Sequence, residues 1–242
     1  MPQNYEDASL PDRALGKLKQ HIARLTYPTW RTFNDPRPVL SICFDDFPAS
    51  AATTGARLLE QAGVRGTFYN CFGLPAGTLH AKKLQSAGHE IGCHTHDHIN
   101  ASFNALDEFT RSCTKNKRVA ADYGIHLKHF SFPQGGMTAA SKHFICKNYD
   151  SARGGFEGIN NGKIDIFNLF GVPFYEQKLK KSNDFVDIIS DNGGWLVLYS
   201  HDVSDSPSEH GITARSLEAL LATLRQRNIR IKPVGEVIAS LT

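Results

Sequence analysis

The sequence has no long apolar run, no paired-cysteine spacing and no large excess of one charge. Its longest uninterrupted apolar stretch is Trp195–Tyr199, five residues, where crossing a bilayer takes about 20. No membrane span is expected. The formal net charge of +3 is too small to argue for a nucleic-acid partner. The five cysteines (Cys43, Cys71, Cys93, Cys113, Cys146) are odd in number and show no CxxC. That pattern suits buried free thiols in a reducing compartment better than a disulfide framework or a thiolate metal site. The N-terminus, Met-Pro-Gln-Asn-Tyr-Glu-Asp, lacks a basic start followed by an apolar stretch, so no secretory signal is read and a cytoplasmic location is expected. What the sequence does have is a core and histidine. Apolar residues make up 40% of 242, enough for a full globular interior, which excludes disorder as the main state. Of eleven histidines, His89, His94, His96 and His98 fall within ten residues.

Residues 1–36 read as an N-terminal extension with one helix: Leu15, Leu18, Ile22 and Leu25 keep a helical period before Pro28, Pro36 and Pro38 stop it. From residue 37 to 242 strand-like and helix-like stretches alternate. Strands are expected at Val39–Cys43, Thr67–Asn70, Glu90–Cys93, His129–Phe132, Leu169–Val172, Trp195–Tyr199 and Ile229–Lys232, with a short one at Asp150–Arg153. The clearest helix follows Thr213, a suitable cap, and carries the stripe Leu217, Leu220, Leu221 and Leu224. Others are expected from Asn104 to Tyr123 and from Ser50 to Ala62, the latter stopped by Gly63. Alternating strands and helices imply parallel strands with crossover helices. Seven or eight such units predict an α/β fold, a distorted (β/α) barrel of parallel strands, with a doubly wound open sheet as the rival. Lys178, Lys180 and Lys181 read as a solvated helix face.

In parallel α/β folds functional groups collect where strands end. The first strand ends in Phe44-Asp45-Asp46, two carboxylates that need a cation nearby. Neighbouring residues on extended chain point to different sides, so one can bind a metal while the other holds a water; a cap and turn before the helix is the plainer explanation. The third ends in His94-Thr95-His96-Asp97-His98. If the chain turns helical here, His94 and His98 share a face at the separation that suits one divalent ion, and Asp97 is either a supporting partner or a turn residue. Two histidines and one aspartate would leave an open position for water. Phe132-Pro133-Gln134-Gly135-Gly136 fixes a turn whose backbone N–H groups can face an oxyanion, or simply links strand to helix. The seventh strand ends in His201-Asp202. His201 is a candidate general acid with Asp202 as the candidate orienting group, or a partly buried hydrogen-bonded histidine.

These four pieces, in this order, resemble the polysaccharide deacetylase family (carbohydrate esterase family 4): Phe44-Asp45-Asp46, His94-Thr95-His96-Asp97-His98, Phe132-Pro133-Gln134-Gly135 and Leu198-Tyr199-Ser200-His201. The resemblance spans about residues 39–238. It implies a distorted (β/α) barrel and metal-dependent removal of N-acetyl groups from an amino sugar, oligosaccharide or polysaccharide. By similarity Asp46, His94 and His98 would hold the metal, Asp45 would be the general base, His201 the general acid, and the Gln134 N–H would face the oxyanion. Two imidazoles and one carboxylate suit zinc first, with cobalt, nickel or iron fitting the same ligands. The sequence also departs from the family. Where many members have arginine and tyrosine in the proline loop, Ser131 and Gln134 stand here. The arginine normally supports the base, and Arg153 is the candidate replacement. For the family's tryptophan-and-aspartate support of the acid histidine, Asp150 and Trp195 are loose candidates. Phe47, Phe156, Tyr175 and Tyr199 are candidate sugar-stacking rings. Alternative functions are hydrolysis of another C–N bond, such as a formamide or cyclic amide, and a noncatalytic carbohydrate-binding homologue.

Overall fold

The computed structural model describes residues 7–242. Helix α1 (Leu10–Leu25) leads to strand β1 (Trp30–Phe33). The central strand β2 (Val39–Asp45) is buried along its whole length, as expected for a parallel strand covered on both faces. A wide helical turn (Ala51–Gly55) runs into α2 (Ala56–Gln61), which Gly63 ends with φ +75°. Then follow β3 (Thr67–Asn70), α3 (Pro75–Ser86), β4 (Glu90–Cys93), α4 (Leu106–Asp122), β5 (His129–Ser131), α5 (Ala139–Asn148) and β6 (Ser151–Arg153). The chain continues through β7 (Gly162–Asp165), β8 (Val172–Pro173), α6 (Leu179–Asn192), β9 (Trp195–Ser200), α7 (Ala214–Gln226), β10 (Arg230–Ile231) and α8 (Val234–Ala239).

Seven parallel strands follow the path β6-β5-β4-β3-β2-β9-β8, and β10 pairs with the first residues of β2. The two ends of the path meet. Leu169 bridges Arg153 in parallel, its N–H donating to Ala152 O at 2.9 Å while Gly154 N–H donates to Leu169 O at 3.0 Å. Three residues on, β8 begins to pair with β9. The barrel is therefore closed by a short, irregular staple, and the expected strand Leu169–Val172 is only β8 preceded by this single bridge. Burial of Leu217, Leu220, Leu221 and Leu224 on α7 confirms the predicted stripe, and Thr213 caps it by accepting from Ser216 N–H. Lys178, Lys180 and Lys181 lie at the start of α6, where Lys180 pairs with exposed Asp184. All five cysteines are free, four of them buried.

The antiparallel pair β1–β7 lies outside the barrel and was not expected from the sequence. It ties residues 30–33 to the connection after β6. Behind it, Lys142 of α5 is fully buried, with Nζ 2.6 Å from Asp165 and 3.2 Å from Ala23 O. This buried ion pair joins α1, α5 and β7.

Candidate metal centre and surrounding site

Register brings the site together. Phe44 pairs with Ser200 across β2 and β9, so Asp45 and His201 leave adjacent strands at one level. Asn70 pairs with Cys93 across β3 and β4, which places His94 one residue beyond. The carboxylate of Asp46 and the rings of His94 and His98 each offer one ligand atom, all within 4.8 Å of one another. His98 Nε2 lies 3.3 Å and His94 Nε2 3.9 Å from Asp46 oxygens, and His201 Nε2 stands 4.0 Å from Asp46 Oδ2.

No helix presents the two histidines. Thr95 and His98 take positive φ (+63° and +53°), and the Thr95 hydroxyl accepts from Ile99 N–H at 3.0 Å, folding the chain into a turn that leaves the rings 5.1 Å apart. Asp46 (φ +51°) and Gln134 (φ +52°) share this conformation, so four of the six non-glycine residues with positive φ among the described residues lie in the site. Such backbone is unfavourable for L-residues and persists where surrounding structure imposes it.

The donor set fits a divalent cation. His94 Nδ1 lies 2.7 Å from Ser131 O, which fixes the ring and leaves Nε2 toward Asp46. Burial pushes the His94 pKa down to about 4, with Asp45 and Asp46 opposing, so the imidazole is neutral as a ligand must be. Cys71, which the sequence reading did not single out, donates its thiol to Asp46 Oδ1 at 3.2 Å and to His94 O at 3.0 Å. It directly follows β3, so the strand-end rule applied to every strand points to it. Cys93 faces away, toward Asn116 and Tyr149.

Asp45 is buried, and Arg153 NH2 donates to its Oδ2 and, at 2.5 Å, to the Ser131 hydroxyl. Burial alone would raise the Asp45 pKa; the guanidinium, helped by His94 and His201, more than reverses this and holds the carboxyl below the usual range. Arg153 also lies over the Tyr199 ring at 4.0 Å. The expected stand-in for the family's arginine is thus in contact with Asp45. Asp45 Oδ1 is buried without a partner. His201 is held below the usual imidazole range chiefly by burial, and its Nδ1 has no hydrogen-bond partner.

Several expected supports lie elsewhere. Asp202 turns from His201 to accept from Ser208 N–H at 3.0 Å and from the Ser208 hydroxyl. The residues around His201 are instead Tyr175 and His210, with ring centroids 6.0 and 5.3 Å away. Asp97 pairs with His96 at 2.7 Å and accepts from the Ser112 hydroxyl, bracing the loop rather than a ligand. Trp195 and Asp150 stand at the opposite ends of their strands: the Trp195 indole donates to Ser41 at 3.0 Å and Asp150 N–H to Lys128 O. Phe47 is entirely core, and Tyr175 is buried beside Tyr199. Gln134 is exposed at the rim, its side-chain oxygen accepting from Asn100 at 3.0 Å.

Fold and site define an α/β barrel with a candidate metal centre at the C-terminal ends of its strands. A family model described as Polysaccharide deacetylase matches residues 33–148. The peptidoglycan-N-acetylglucosamine deacetylase of Bacillus cereus is 33% identical over 93 residues, 38% of this chain and 43% of that protein. The match thus spans less than half the relative's length. A family 4 acetyl xylan esterase from Clostridium thermocellum, in complex with a cobalt ion, superposes with TM-score 0.60 at 20% identity, covering 83% of this chain and 90% of that one. A CE4 family pseudoenzyme from Bacillus anthracis superposes with TM-score 0.60 at 14% identity, covering 87% and 68%. At these identities the superpositions show the fold. Over residues 33–148 the chain is similar to the polysaccharide deacetylase family.

Proposed function

We propose that the protein is a metal-dependent hydrolase that removes N-acetyl groups from an amino sugar or an N-acetylated oligo- or polysaccharide. The observation that carries this reading is the convergence of three donor atoms from Asp46, His94 and His98 within 4.8 Å, with Asp45 and His201 on adjacent strand ends beside them. Asp46, His94 and His98 would hold the cation, zinc first by its donor preference. A divalent cation there would polarise the acetyl carbonyl and acidify water.

The chain's own groups supply the rest. Asp45, kept ionised by Arg153, accepts a proton from the water that attacks the carbonyl carbon. His201, neutral at rest, takes up the proton that Asp45 removes from the water and delivers it to the departing amine nitrogen, so the C–N bond breaks and acetate and a free amine result. The Gln134 N–H is assigned to the developing oxyanion; losing one such donor typically costs about 2.7–4 kcal/mol of barrier. Relatives of this fold include a pseudoenzyme, so retention of Asp45, Asp46, His94, His98 and His201 in one cluster supports the catalytic reading over a binding-only one.

Elemental analysis of the purified protein, with acetate release from N-acetylated sugars and a parallel panel of formylated and cyclic amides, tests the proposal. The expected result is about one equivalent of metal and acetate as product. A metal-loaded protein that turns over only the formamides or cyclic amides, or nothing in the panel, overturns it.

A further inference from the structure

The helix α1 is packed the unusual way round. A soluble amphipathic helix buries its apolar stripe, yet here Leu15, Leu18 and Ile22 are 50–56% exposed and Leu10 and Leu25 are 81% exposed. The buried positions are Gly16 and Ala23. Gly16 presses on the Phe103 ring so closely that a Cβ there would come within 3.1 Å of it. Lys19 donates to Ser102 O at 2.7 Å, and Ala23 O accepts from the buried Lys142. These contacts fix the helix without using a single leucine of the stripe. The apolar surface continues past the helix: Tyr27 is 52% and Trp30 47% exposed.

Charge identifies the occupant. On the helix, Arg13, Lys17, Lys19 and Arg24 face one acidic side chain, Asp12. At 100° per residue, exposed Lys17 and His21 border one side of the stripe and Lys19 the other, while Arg24 lies farther round with its guanidinium over the Phe156 and Phe170 rings. Lys163 adds a cation over the Trp30 ring at 5.2 Å. An apolar stripe with basic borders and interfacial aromatics beside it is the pattern of a helix lying in the headgroup region of an anionic bilayer. A second copy fits less well. A stripe about 24 Å long and 10 Å wide is a few hundred Å², short of the about 800 Å² per partner of a stable interface, and pairing it with itself brings like charges together.

We propose that α1, with Tyr27 and Trp30, is a docking face for an anionic lipid surface and holds the barrel against a membrane. The proposal is independent of the deacetylase reading.

The test is co-sedimentation of the full chain with phosphatidylcholine vesicles containing or lacking about 30% phosphatidylglycerol, with fluorescence of Trp30 as a second readout, since Trp195 is already buried. Binding to the anionic vesicles is expected, with a blue shift, weakened at about 0.5 M salt. Leu18→Gln/Ile22→Gln should lower affinity more than about tenfold, and Lys17→Glu should weaken binding to anionic vesicles. These side chains are exposed, so thermal stability and acetate release from a soluble substrate should not change in either variant. Absence of the wild-type protein from the anionic vesicle pellet, equal binding by the double variant, or a dimer that the double variant dissociates without vesicle binding would each overturn the proposal.

Discussion

Replacing Arg153 by Met separates what the buried guanidinium does for stability from what it does for chemistry. Arg153 and Asp45 are both buried, and Asp45 Oδ1 has no partner even in the intact pair. Removing the cation leaves a carboxylate in a low-dielectric site, and breaking such a pair typically costs about 3–5 kcal/mol. At about 2–4 °C per kcal/mol for a chain of this size, the melting temperature should fall by roughly 10 °C. The second effect is on the proton. An opposite charge near 4 Å is worth about 4 kcal/mol at an effective dielectric of 20, or about three pKa units. Without Arg153, the burial that already pushes Asp45 upward prevails. A cation held at Asp46, His94 and His98, as proposed, would offset part of this, so the acid limb of the pH profile of kcat/KM should move up by at least about one unit. Arg153→Lys should fall between, since an ammonium cannot reproduce the fork to Asp45 and Ser131. A variant that loses stability while its acid limb stays in place would refute the assignment of Arg153 to the base and leave it a structural ion pair.

Asp45→Asn should keep its metal and lose at least about a hundredfold in acetate release, whereas His94→Ala should lose both metal and activity; elemental analysis and turnover distinguish the two. Metal-stripped protein should lose stability as pH falls. His94 takes its proton near 6.5 when unfolded and near about 4 when folded, so the unfolded chain binds more protons in that window, and up to about 3 kcal/mol is lost on crossing it. Denaturant melts at about pH 7 and about pH 4.5 should show the drop, and His94→Gln should flatten it. Lys142→Met strands Asp165 in the interior and should cost about 3–5 kcal/mol, read by thermal unfolding.

What was legible in the sequence follows from what local pattern can encode. Thr67–Asn70 and Glu90–Cys93 appear with the predicted bounds because short β-rich runs between turn signals specify themselves. The pair β1–β7 did not, since its strands are far apart in sequence and only partly buried, with no alternation to mark them. The orientation of α1 was illegible for a different reason: its apolar period shows a helix but cannot say that Gly16 and Ala23 would face the barrel. Around His201 the error was one of proximity. Asp202 is its neighbour in sequence, but the turn that follows β9 spends that carboxylate on Ser208.

The substitution in the proline loop shows how a barrel can move a charge without moving its effect. Ser131, where many family members have arginine, is paired in register with Arg153 on the adjacent strand. Side chains at paired positions on neighbouring parallel strands point to the same face, so an arginine on β6 reaches the carboxylate that one on β5 would have reached. Ser131 keeps a part in this arrangement: its hydroxyl accepts from the same guanidinium that binds Asp45, and its carbonyl fixes the His94 ring. Enlarging Ser131 therefore sets two requirements against each other. Ser131→Val keeps the carbonyl and the strand but removes the acceptor beside Arg153, so metal content should be unchanged while the acid limb shifts in a direction that only the loosened guanidinium explains. A Ser131→Val protein with wild-type pH dependence would mean that the ion pair needs no help from β5, and that register alone accounts for the replacement.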